Sequence, residues 1–308
     1  MSIVEKALKK LQSASDSKPP PVGLAVPRMA SDAAPGTAPV ALNEPRRRPR
    51  VSSATRTVAI DVDKLRREGM LPPEHQQREL SHQYRTLKRP LIRNAFDEQL
   101  AGDPTAPGSH SVMVSSALPG EGKTFTSINL ALSLALERDH SVLLVDGDIP
   151  KPHVSTALGL RNDAGLLDLL TDPALPVESV VLPTDVRGLS VLPVGRNGGE
   201  SATELLASAR MREVISQLEQ FDPQGIVLVD SPPILLTSEA RVLASLFGQV
   251  VMVVRAGVSP QQAVTEAISI IGEGPRLGLV LNEAAHVGSA DGYYGYYYDG
   301  GTSSVDKT

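Results

Sequence analysis

Short runs of Val, Leu and Ile alternate with longer stretches of mixed polarity from residue 111 onward. The apolar runs predict strands at 111–115, 142–145, 189–192, 226–229, 250–254 and 277–281. The mixed stretches predict helices at 128–135, 203–218, 238–247 and 260–271. Uninterrupted apolar strands separated by helices are typical of a parallel sheet that is covered on both faces. The pattern therefore predicts an α/β fold with a mostly parallel sheet and helices on both faces.

The N-terminal part of the chain lacks this alternation. Residues 1–12 place Val4, Ala7, Leu8 and Leu11 on one helical face, which predicts a short amphipathic helix. That helix either packs on its own domain or docks on a partner or membrane surface. Residues 13–57 are rich in Pro and Ala and have too little apolar surface to offset the entropy of ordering, so we expect a disordered linker.

Helical spacing returns at residues 74–95, where Pro90 should kink or divide the helix. We place the folded domain at residues 58–288. The last segment, 289–308, has no periodicity and is expected to be a mobile tail. Five of the six tyrosines of the chain lie in this tail, at Tyr293, Tyr294, Tyr296, Tyr297 and Tyr298.

Composition excludes several classes of function. The chain carries 30 Lys and Arg against 35 Asp and Glu, a net charge of −5, so we expect no nucleic-acid partner, because that needs a basic face. It has no Cys, which excludes disulfides and thiolate chemistry. No apolar run approaches the roughly 20 residues of a membrane span, and the start of the chain lacks a signal-peptide core. We therefore expect a soluble, cytoplasmic protein.

The segment 117–124, Ala-Leu-Pro-Gly-Glu-Gly-Lys-Thr, lies between a predicted strand and a predicted helix. It matches the phosphate-loop pattern except that Ala117 replaces the first glycine. The glycines let backbone N–H groups point at phosphate oxygens, and the helix start adds its positive dipole end. Lys123 would contact the β- and γ-phosphates, and Thr124 would bind Mg²⁺. The residues predicted to contact the nucleotide are Pro119, Gly120, Glu121, Gly122, Lys123, Thr124, Phe125 and Asn282.

Polar side chains end three of the apolar runs. Asp146 and Asp148 follow one run, Asp230 follows another, and Asn282 follows the last. A single aspartate at a strand end is usually a helix cap or a turn residue. Three of them at the edge where parallel sheets bind ligands are what phosphoryl transfer needs, since carboxylates hold Mg²⁺ and accept a proton.

These motifs together resemble the bacterial tyrosine kinases, which are P-loop autokinases of polysaccharide export. The resemblance covers about residues 58–298. It rests on Pro-Gly-Glu-Gly-Lys-Thr at 119–124, Leu-Val-Asp-Gly-Asp at 144–148, Val-Asp-Ser-Pro-Pro at 229–233 and the terminal tyrosines. Residues 79–94 and 202–208 further resemble the exosortase-associated branch, in which the kinase is a separate chain from its membrane co-polymerase.

The resemblance implies an ATP-dependent, Mg²⁺-requiring tyrosine autokinase. Lys123 and Thr124 would bind Mg·ATP, Asp146 would be the base, and Asp148 and Asp230 would surround the metal. The five tail tyrosines would be the phosphate acceptors. The implied partner is a membrane polysaccharide co-polymerase, or chain-length determinant protein, on a separate chain. The kinase would then be a homo-oligomer at the cytoplasmic side of the inner membrane.

Two positions depart from the family pattern. The second acidic motif usually continues to Arg, whereas this chain has Pro150 followed by Lys151. The oligomerisation helix usually carries Glu-x-x-Arg-x-x-Arg, whereas the matching places here are His82, Arg85 and Lys88. A ring assembly of the usual kind is therefore expected to be weakened or absent.

The length of the tail bears on how phosphate is transferred. Residues 288–298 extend at most roughly 35 Å. That reach is short for folding back into the chain's own loop but adequate for a neighbour, so transfer between subunits is expected.

Two other functions stay open at this point. A positioning ATPase of the Min/Par type shares the fold, but it has a signature lysine where this chain has Leu118. A nucleotide-gated scaffold would bind ATP without moving phosphate, and the tyrosines would then form only an adhesive patch.

Overall fold

The computed structural model describes residues 56–96, 108–196, 202–236 and 240–284. All of them belong to a single unit of the chain, residues 47–308. The predicted N-terminal helix, nearly all of the linker and the tail with Tyr293, Tyr294, Tyr296, Tyr297 and Tyr298 lie outside the described residues.

Seven strands form one sheet in the order β3-β4-β2-β5-β1-β6-β7. The strands are β1 Ser111–Ser116, β2 Ser141–Asp146, β3 Leu182–Pro183, β4 Leu189–Leu192, β5 Gly225–Asp230, β6 Gln249–Arg255 and β7 Arg276–Asn282. Every neighbouring pair is parallel except β3 and β4, which are antiparallel. The six predicted strands are confirmed, and only the two-residue β3 was not predicted.

Nine α-helices lie within the described ranges. They are α1 Val62–Arg67, α2 Gln77–Phe96, α3 Lys123–Ala135, α4 His153–Ala157, α5 Leu166–Thr171, α6 Ala202–Leu205, α7 Ala209–Phe221, α8 Ala240–Ala244 and α9 Gln261–Ile271. Single 3-10 turns occur at Glu74–Gln76, Val177–Ser179 and Ile234–Leu236. Among these described helices, none is both long and apolar enough to cross a membrane.

Alternate residues of the central strands enter two separate cores. Met113 and Val229 face a core that includes Leu169 of α5 and Met211 of α7. Val112, Val114, Leu144 and Leu228 face the other core, which is formed with the helices α2, α3 and α4. Because successive side chains of a strand point to opposite faces, uninterrupted apolar runs are needed to fill both cores. The predicted mostly parallel sheet with helices on both faces is confirmed.

At the β7 edge, the described helices leave the sheet partly uncovered. Strand β7 pairs only with β6, and within the described part of the chain its side chains Leu279 and Leu281 are 43% and 61% exposed. The apolar run 277–281 is therefore a strand, as predicted, but it is not buried on both faces.

Two predicted helices differ in their continuity. The single helix predicted at 203–218 is divided into α6 and α7, because the side chain of Ser208 accepts a hydrogen bond from the Met211 N–H and starts a new helix. Helix α2, in contrast, is not divided at Pro90. The missing N–H of a proline removes one helical hydrogen bond, and buried Leu91 and Ala95 carry the packed face past it.

Candidate active site

The phosphate loop joins the end of β1 to the start of α3. Gly120 and Gly122 have φ angles of +78° and +95°, in the left-handed region that suits glycine. Gly122 is the N-cap of α3 and supplies no side-chain acceptor for the first N–H groups of the helix. Those groups and the positive end of the helix dipole are free to bind an anion. The predicted anion-binding loop thus has the backbone conformation that phosphate binding requires.

The side chains of Glu121 and Asn282 fix this loop through hydrogen bonds. The Glu121 carboxylate is buried, accepts a hydrogen bond from the Leu118 N–H at 2.8 Å, and accepts another from the Ser259 hydroxyl. The Asn282 amide donates to the backbone carbonyl of Glu121 at 3.0 Å. A Cβ at Gly122 would lie 2.0 Å from the Asn282 Nδ2, so this position requires glycine. Both side chains therefore position the loop, and only backbone groups of Glu121 remain to contact phosphate.

Lys123 and Asp148 face each other across the site. The Lys123 Nζ lies 4.0 Å from Asp148 Oδ2, and both side chains are more than nine-tenths buried. A charged lysine in a shielded site interacts strongly with nearby charges, because little water screens it. The arrangement can neutralise phosphate oxygens at the loop while keeping a carboxylate within reach of a metal.

Asp230 lies beneath the loop at the end of β5. It is fully buried and accepts hydrogen bonds from the Thr124 hydroxyl at 2.8 Å and the Ser127 hydroxyl at 2.9 Å. Because the Thr124 hydroxyl gives its proton to Asp230, its lone pairs stay available for a metal ion. Sequence reasoning missed Ser127. Its place three residues after Thr124, on the same helical face, was the available signal.

Asp146 ends β2 beside Asp230, and the two residues are register partners in the sheet. Its Oδ2 accepts a hydrogen bond from the Ser155 N–H at 2.7 Å. Its Oδ1 is buried and has no hydrogen-bond partner. Leaving a buried carboxylate oxygen without a hydrogen-bond donor costs free energy. This oxygen is therefore an available acceptor for a proton or for a donor group that reaches it.

Burial weakens the acidity of all three carboxyl groups. Burial and then the neighbouring Asp230 raise the pKa of Asp146 to about 7. Burial raises the pKa of Asp230 to about 6, against the opposing effect of Lys123 and two hydroxyl donors. Burial also raises the pKa of Asp148, again opposed by Lys123. Like-charged carboxyls gathered in a dry site are typical of a place that receives a cation or a proton.

A cavity of about 840 Å³ opens over the loop. Of the predicted site residues, those that line it are Pro119, Gly120, Gly122, Lys123, Thr124, Phe125 and Asp148. The remaining predicted residues of the described chain do not line it, namely Asp146, Asp230, Glu121 and Asn282. The other lining residues, which sequence reasoning missed, are Gly69, Met70, Pro150, Lys151, His153, Glu204, Pro232, Pro233 and Leu236. They come from four separate segments, so no local motif could have gathered them.

The residues present fit Mg²⁺ held largely by phosphate. Within the described ranges, no three His, Asp or Glu side chains are grouped as a metal site. Mg²⁺ in nucleotide enzymes is usually bound by one or two protein oxygens plus phosphate oxygens and water. Thr124 and Asp148, with Asp230 behind them, are the oxygen donors available here.

The expected oligomerisation helix, α2, uses one of its key positions internally. The Lys88 Nζ donates to the Ser133 carbonyl at 2.5 Å and forms an ion pair with Glu137 at 2.8 Å. The Lys88 side chain is only 4% exposed, so it ties α2 to the end of α3 rather than facing a neighbour. His82 and Arg85 are exposed.

Strand β7 ends beside the phosphate loop, since its last residue, Asn282, donates a hydrogen bond to the Glu121 carbonyl. From Ala284 to Tyr293 the chain can extend about 30 Å. Strands lie about 4.8 Å apart, so β2 is about 19 Å from β7. Reach along the chain therefore does not by itself decide between the two routes, and transfer between subunits stays a prediction.

Comparison with known proteins gives consistent matches. A family model described as an AAA domain matches residues 110–271. The chain is 33% identical over 219 residues to the tyrosine-protein kinase YwqD of Bacillus subtilis, covering 70% of this chain and 86% of YwqD. It is 32% identical over 191 residues to the tyrosine-protein kinase wzc of Salmonella typhimurium.

The match to wzc covers 60% of this chain but only 26% of wzc, so the chain corresponds to a minor part of that longer relative. Among solved structures, the kinase domain of Escherichia coli tyrosine kinase ETK aligns with a TM-score of 0.58 at 25% identity. That alignment covers 70% of this chain and 80% of the ETK domain.

Proposed function

This chain belongs to the bacterial tyrosine-protein kinases and is a protein-tyrosine kinase, and on that premise we propose that its own C-terminal tyrosines are its substrate. The proposed acceptors are Tyr293, Tyr294, Tyr296, Tyr297 and Tyr298. The observation that carries the proposal is the cavity in which Lys123 faces Asp148 above a glycine loop, at the edge of the sheet from which the tail leaves.

The proposed cosubstrate is Mg·ATP. Backbone N–H groups of the loop and the Lys123 ammonium would hold the phosphates. The Thr124 hydroxyl and Asp148 would hold the metal, with Asp230 orienting Thr124. When bound, Mg²⁺ neutralises charge on the β- and γ-phosphate oxygens.

In the transfer step, the phenolic oxygen of the acceptor tyrosine bonds to the γ-phosphorus. The bond from that phosphorus to the β–γ bridging oxygen breaks, and its electron pair leaves with ADP. The phenolic proton goes to a carboxylate, and we assign this role to Asp146. Asp146 is fully buried and does not line the cavity, so this role requires a local movement that brings its unpartnered Oδ1 to the phenol. Its pKa of about 7 suits a base that works near neutral pH.

We further propose that transfer runs between subunits. Reach alone permits transfer within one chain. The direct path from the end of β7 to the Asp148 side of the cavity, however, crosses the phosphate loop, where the bound nucleotide would block it. A tail from a neighbour meets no such obstacle.

Mixing two chains, neither of which can phosphorylate a tail of its own, tests this proposal. A Lys123→Met chain, which keeps the tail, is mixed with a chain that lacks residues 289–308 and keeps the loop. We expect phosphate on the tail of the Lys123→Met chain, measured by phosphopeptide mapping. If wild-type chains label their own tails while the Lys123→Met tail stays unmodified in the mixture, transfer is intramolecular.

The Lys123→Met change alone tests the site. It removes the charge at the phosphates and keeps the side-chain length, so we expect transfer to fall by at least about 100-fold, the scale of electrostatic contacts in a transition state. Circular dichroism and thermal unfolding of the variant serve as the folding control. Tail phosphorylation close to the wild-type rate would refute the assignment of this loop.

The two other functions are now less well supported. A positioning ATPase does not explain relatives that are named tyrosine kinases, and Leu118 stands where its signature lysine would be. A scaffold without transfer predicts an unphosphorylated tail, so mass spectrometry of the purified protein separates it from the kinase.

The cellular role is proposed from the family resemblance seen in the sequence. We propose that the kinase regulates exopolysaccharide synthesis or export through a membrane co-polymerase on a separate chain, and that it stays in the cytoplasm at the inner membrane through that partner. Co-purification of the two chains from detergent-solubilised membranes, and loss of membrane association when the co-polymerase gene is deleted, would support this role. A kinase that fractionates identically without the co-polymerase would contradict it.

A further inference from the structure

Helix α2 carries a row of basic side chains along one side. With about 3.6 residues per turn, Arg78, Arg85, Arg89 and Arg93 fall within an arc of roughly 80°, and His82 lies in the same arc. The row runs for roughly 22 Å along the helix axis, and all of its side chains are exposed. We call these five residues the basic stripe.

The described part of the chain supplies no carboxylate partner for the four arginines. None of its ion pairs involves them, and the only acidic residue of α2, Glu79, lies outside the arc. Arg89 acts electrostatically on Glu137, but Glu137 is paired with Lys88. A chain whose net charge is −5 therefore concentrates positive charge on one side of one helix.

The helix that carries the stripe is fixed to the domain through another of its faces. Lys88 and Leu91 are buried, and the side chain of Gln249 in β6 donates to the Leu91 carbonyl at 3.0 Å. The Asn94 amide in turn donates to Gln249 Oε1 at 3.0 Å. The arginines therefore project from a helix that is already ordered, so an extended charged surface can contact all of them without first ordering the backbone.

A second copy of the stripe is a poor partner for it. The family pattern has a Glu where this chain has His82, so the stripe contains no carboxylate for the arginines of another copy. Two stripes placed face to face would repel each other. A surface of phosphate groups fits better, because the guanidinium is permanently charged and donates hydrogen bonds to phosphate oxygens.

Anionic lipids and nucleic acids both present phosphate groups, and the observations favour lipid. Single-stranded nucleic acid is usually bound with the help of aromatic rings that stack on bases. On α2, however, Tyr84 is buried and Phe96 is already stacked on His140. The sequence also predicts an amphipathic helix at residues 1–12, with a lysine-bearing polar side, and this pattern suits a membrane surface. Two separate parts of the chain therefore indicate the same kind of surface.

We propose that the basic stripe of α2 binds the anionic lipid headgroups of a membrane surface. The cytoplasmic face of a membrane carries a negative potential, and the attraction of each basic residue adds to that of the others. The contact gives the kinase an attachment of its own, in addition to the partner proposed above. It requires neither nucleotide nor phosphate transfer.

Vesicle flotation of the full chain, without nucleotide, tests this contact. The probe is vesicles of equimolar phosphatidylglycerol and phosphatidylcholine, compared with vesicles of phosphatidylcholine alone. We expect the parent chain to bind the anionic vesicles more tightly, and the combined changes Arg78→Gln, Arg85→Gln and Arg93→Gln should weaken that binding at least about 10-fold at low salt. Arg89 is left unchanged because it also acts on Glu137. Equal binding of the parent chain to both kinds of vesicle, or to neither, would overturn the proposal.

The matched control removes three exposed arginines that lie outside α2. The combined changes Arg161→Gln, Arg187→Gln and Arg212→Gln alter the net charge by the same amount, and none of these residues belongs to an ion pair in the described ranges. This triple variant should bind anionic vesicles like the parent chain. Equal losses in the two triple variants would show that net charge alone is responsible and would overturn the proposal. Thermal unfolding checks that both variants are folded.

Lysine at the same positions separates a lipid surface from a protein partner. Arg78→Lys, Arg85→Lys and Arg93→Lys keep the charges but lose the fork of donors that a precisely placed carboxylate requires. Because binding to a membrane surface depends mainly on charge, the lysine variant should bind anionic vesicles nearly as tightly as the parent chain. A lysine variant that is as weak as the glutamine variant would contradict the lipid assignment.

Two further measurements identify the other possible occupants of the stripe. If the glutamine variant binds vesicles like the parent chain but loses affinity for a duplex DNA or RNA oligonucleotide, the stripe binds nucleic acid. If it binds vesicles like the parent chain but has a smaller particle mass in light scattering, the stripe contacts a neighbouring copy. Either result overturns the proposal. Failure of tail phosphorylation would refute the proposed function and leave the lipid result intact.

Discussion

At the scale of single residues, the three aspartates of the site differ in their partners. Asp230 is satisfied by two hydroxyl donors, Asp148 faces Lys123, and Asp146 has one oxygen without a partner. A satisfied carboxylate holds its neighbours in place, whereas an unpartnered one can accept a proton from a ligand. We therefore propose that the same residue type serves different purposes at this site.

Changing each aspartate to asparagine should separate these purposes. Asp148→Asn and Asp230→Asn should raise the Mg²⁺ concentration needed for half-maximal rate, because each loses a charge at the metal. Asp146→Asn should leave nucleotide affinity nearly intact and lower the transfer rate by about 100-fold or more. Titrations of Mg²⁺ and nucleotide measure both quantities. Affinities that fall equally for all three variants would remove the distinction.

At the scale of elements, the phosphate loop depends on contacts with the ends of two strands. Glu121 links the loop to Ser259, which follows β6, and Asn282 links it to the end of β7. The Ser259 hydroxyl in turn accepts a hydrogen bond from the Arg255 N–H at 2.8 Å. The loop is thus fixed by residues more than 130 positions away in sequence.

Removal of the Glu121 carboxylate should weaken nucleotide binding. Glu121→Ala loses two hydrogen bonds to a buried charge, so we expect the Kd for ATP to rise about 10-fold or more, which corresponds to about 1.4 kcal/mol. Ser259→Ala should weaken binding less, and the double variant should be no weaker than Glu121→Ala alone. Exposed Glu178 provides the control, Glu178→Ala. Additive effects at Glu121 and Ser259 would show that the two side chains act independently.

A second link between elements joins helices α2 and α3. Lys88→Met keeps the buried stem but leaves the Ser133 carbonyl without its donor, so we expect a loss of about 1–3 kcal/mol in the free energy of unfolding. Urea denaturation measures the loss, and exposed Arg93→Met is the control. If stability is unchanged while the oligomer dissociates, Lys88 acts between subunits instead.

The same pair predicts a dependence on pH. The hydrogen bond from Lys88 lowers the pKa of Glu137 in the folded state. A lowered folded pKa contributes stability that is present above the unfolded value, about 4.3, and is lost as the pH falls through the folded value. The stability difference between wild type and Lys88→Met should therefore shrink below about pH 4. A difference that stays constant from pH 7 to pH 3 would contradict this linkage.

At the scale of the whole molecule, the proposed phosphorylation of the tail would join catalysis to assembly. Each phosphate adds about −1.5 to −2 charges, so five modified tyrosines carry up to roughly ten negative charges. These charges should repel one another and the carboxylates of the site in a neighbouring subunit. We therefore predict that full phosphorylation loosens the proposed homo-oligomer and releases it from the proposed membrane partner.

Light scattering at low salt tests this prediction by comparing the particle mass of phosphorylated and unphosphorylated wild-type protein at one concentration. A chain with all five tail tyrosines changed to Phe, treated with ATP, is the control for any effect of nucleotide binding alone. A particle mass that does not change on phosphorylation would contradict charge-driven disassembly. The Lys88 ammonium is bonded to Ser133 and Glu137 of its own chain, so we expect it to contribute little to contacts of α2 with a neighbour.

The sequence by itself determined the sheet, the phosphate loop and the family. Apolar runs and glycines are local signals, because a strand buried on both faces and a tight anion-binding turn each constrain consecutive residues. The strands at 111–115 and 226–229, for example, lie within β1 and β5. The aspartates at the ends of β2 and β5 could be placed on one edge of the sheet for the same reason.

Only the tertiary structure decided what the side chains around the loop do. The sequence predicts Glu121 as a nucleotide contact, yet its carboxylate accepts a hydrogen bond from Ser259. It places Lys88 on an oligomerisation helix, yet Lys88 is buried and paired with Glu137 of its own chain. The division of the helix at Ser208 and the cavity wall from Lys151 to Leu236 were likewise not predicted. These features depend on which distant segments the sheet order brings together, and no spacing along the chain encodes that order.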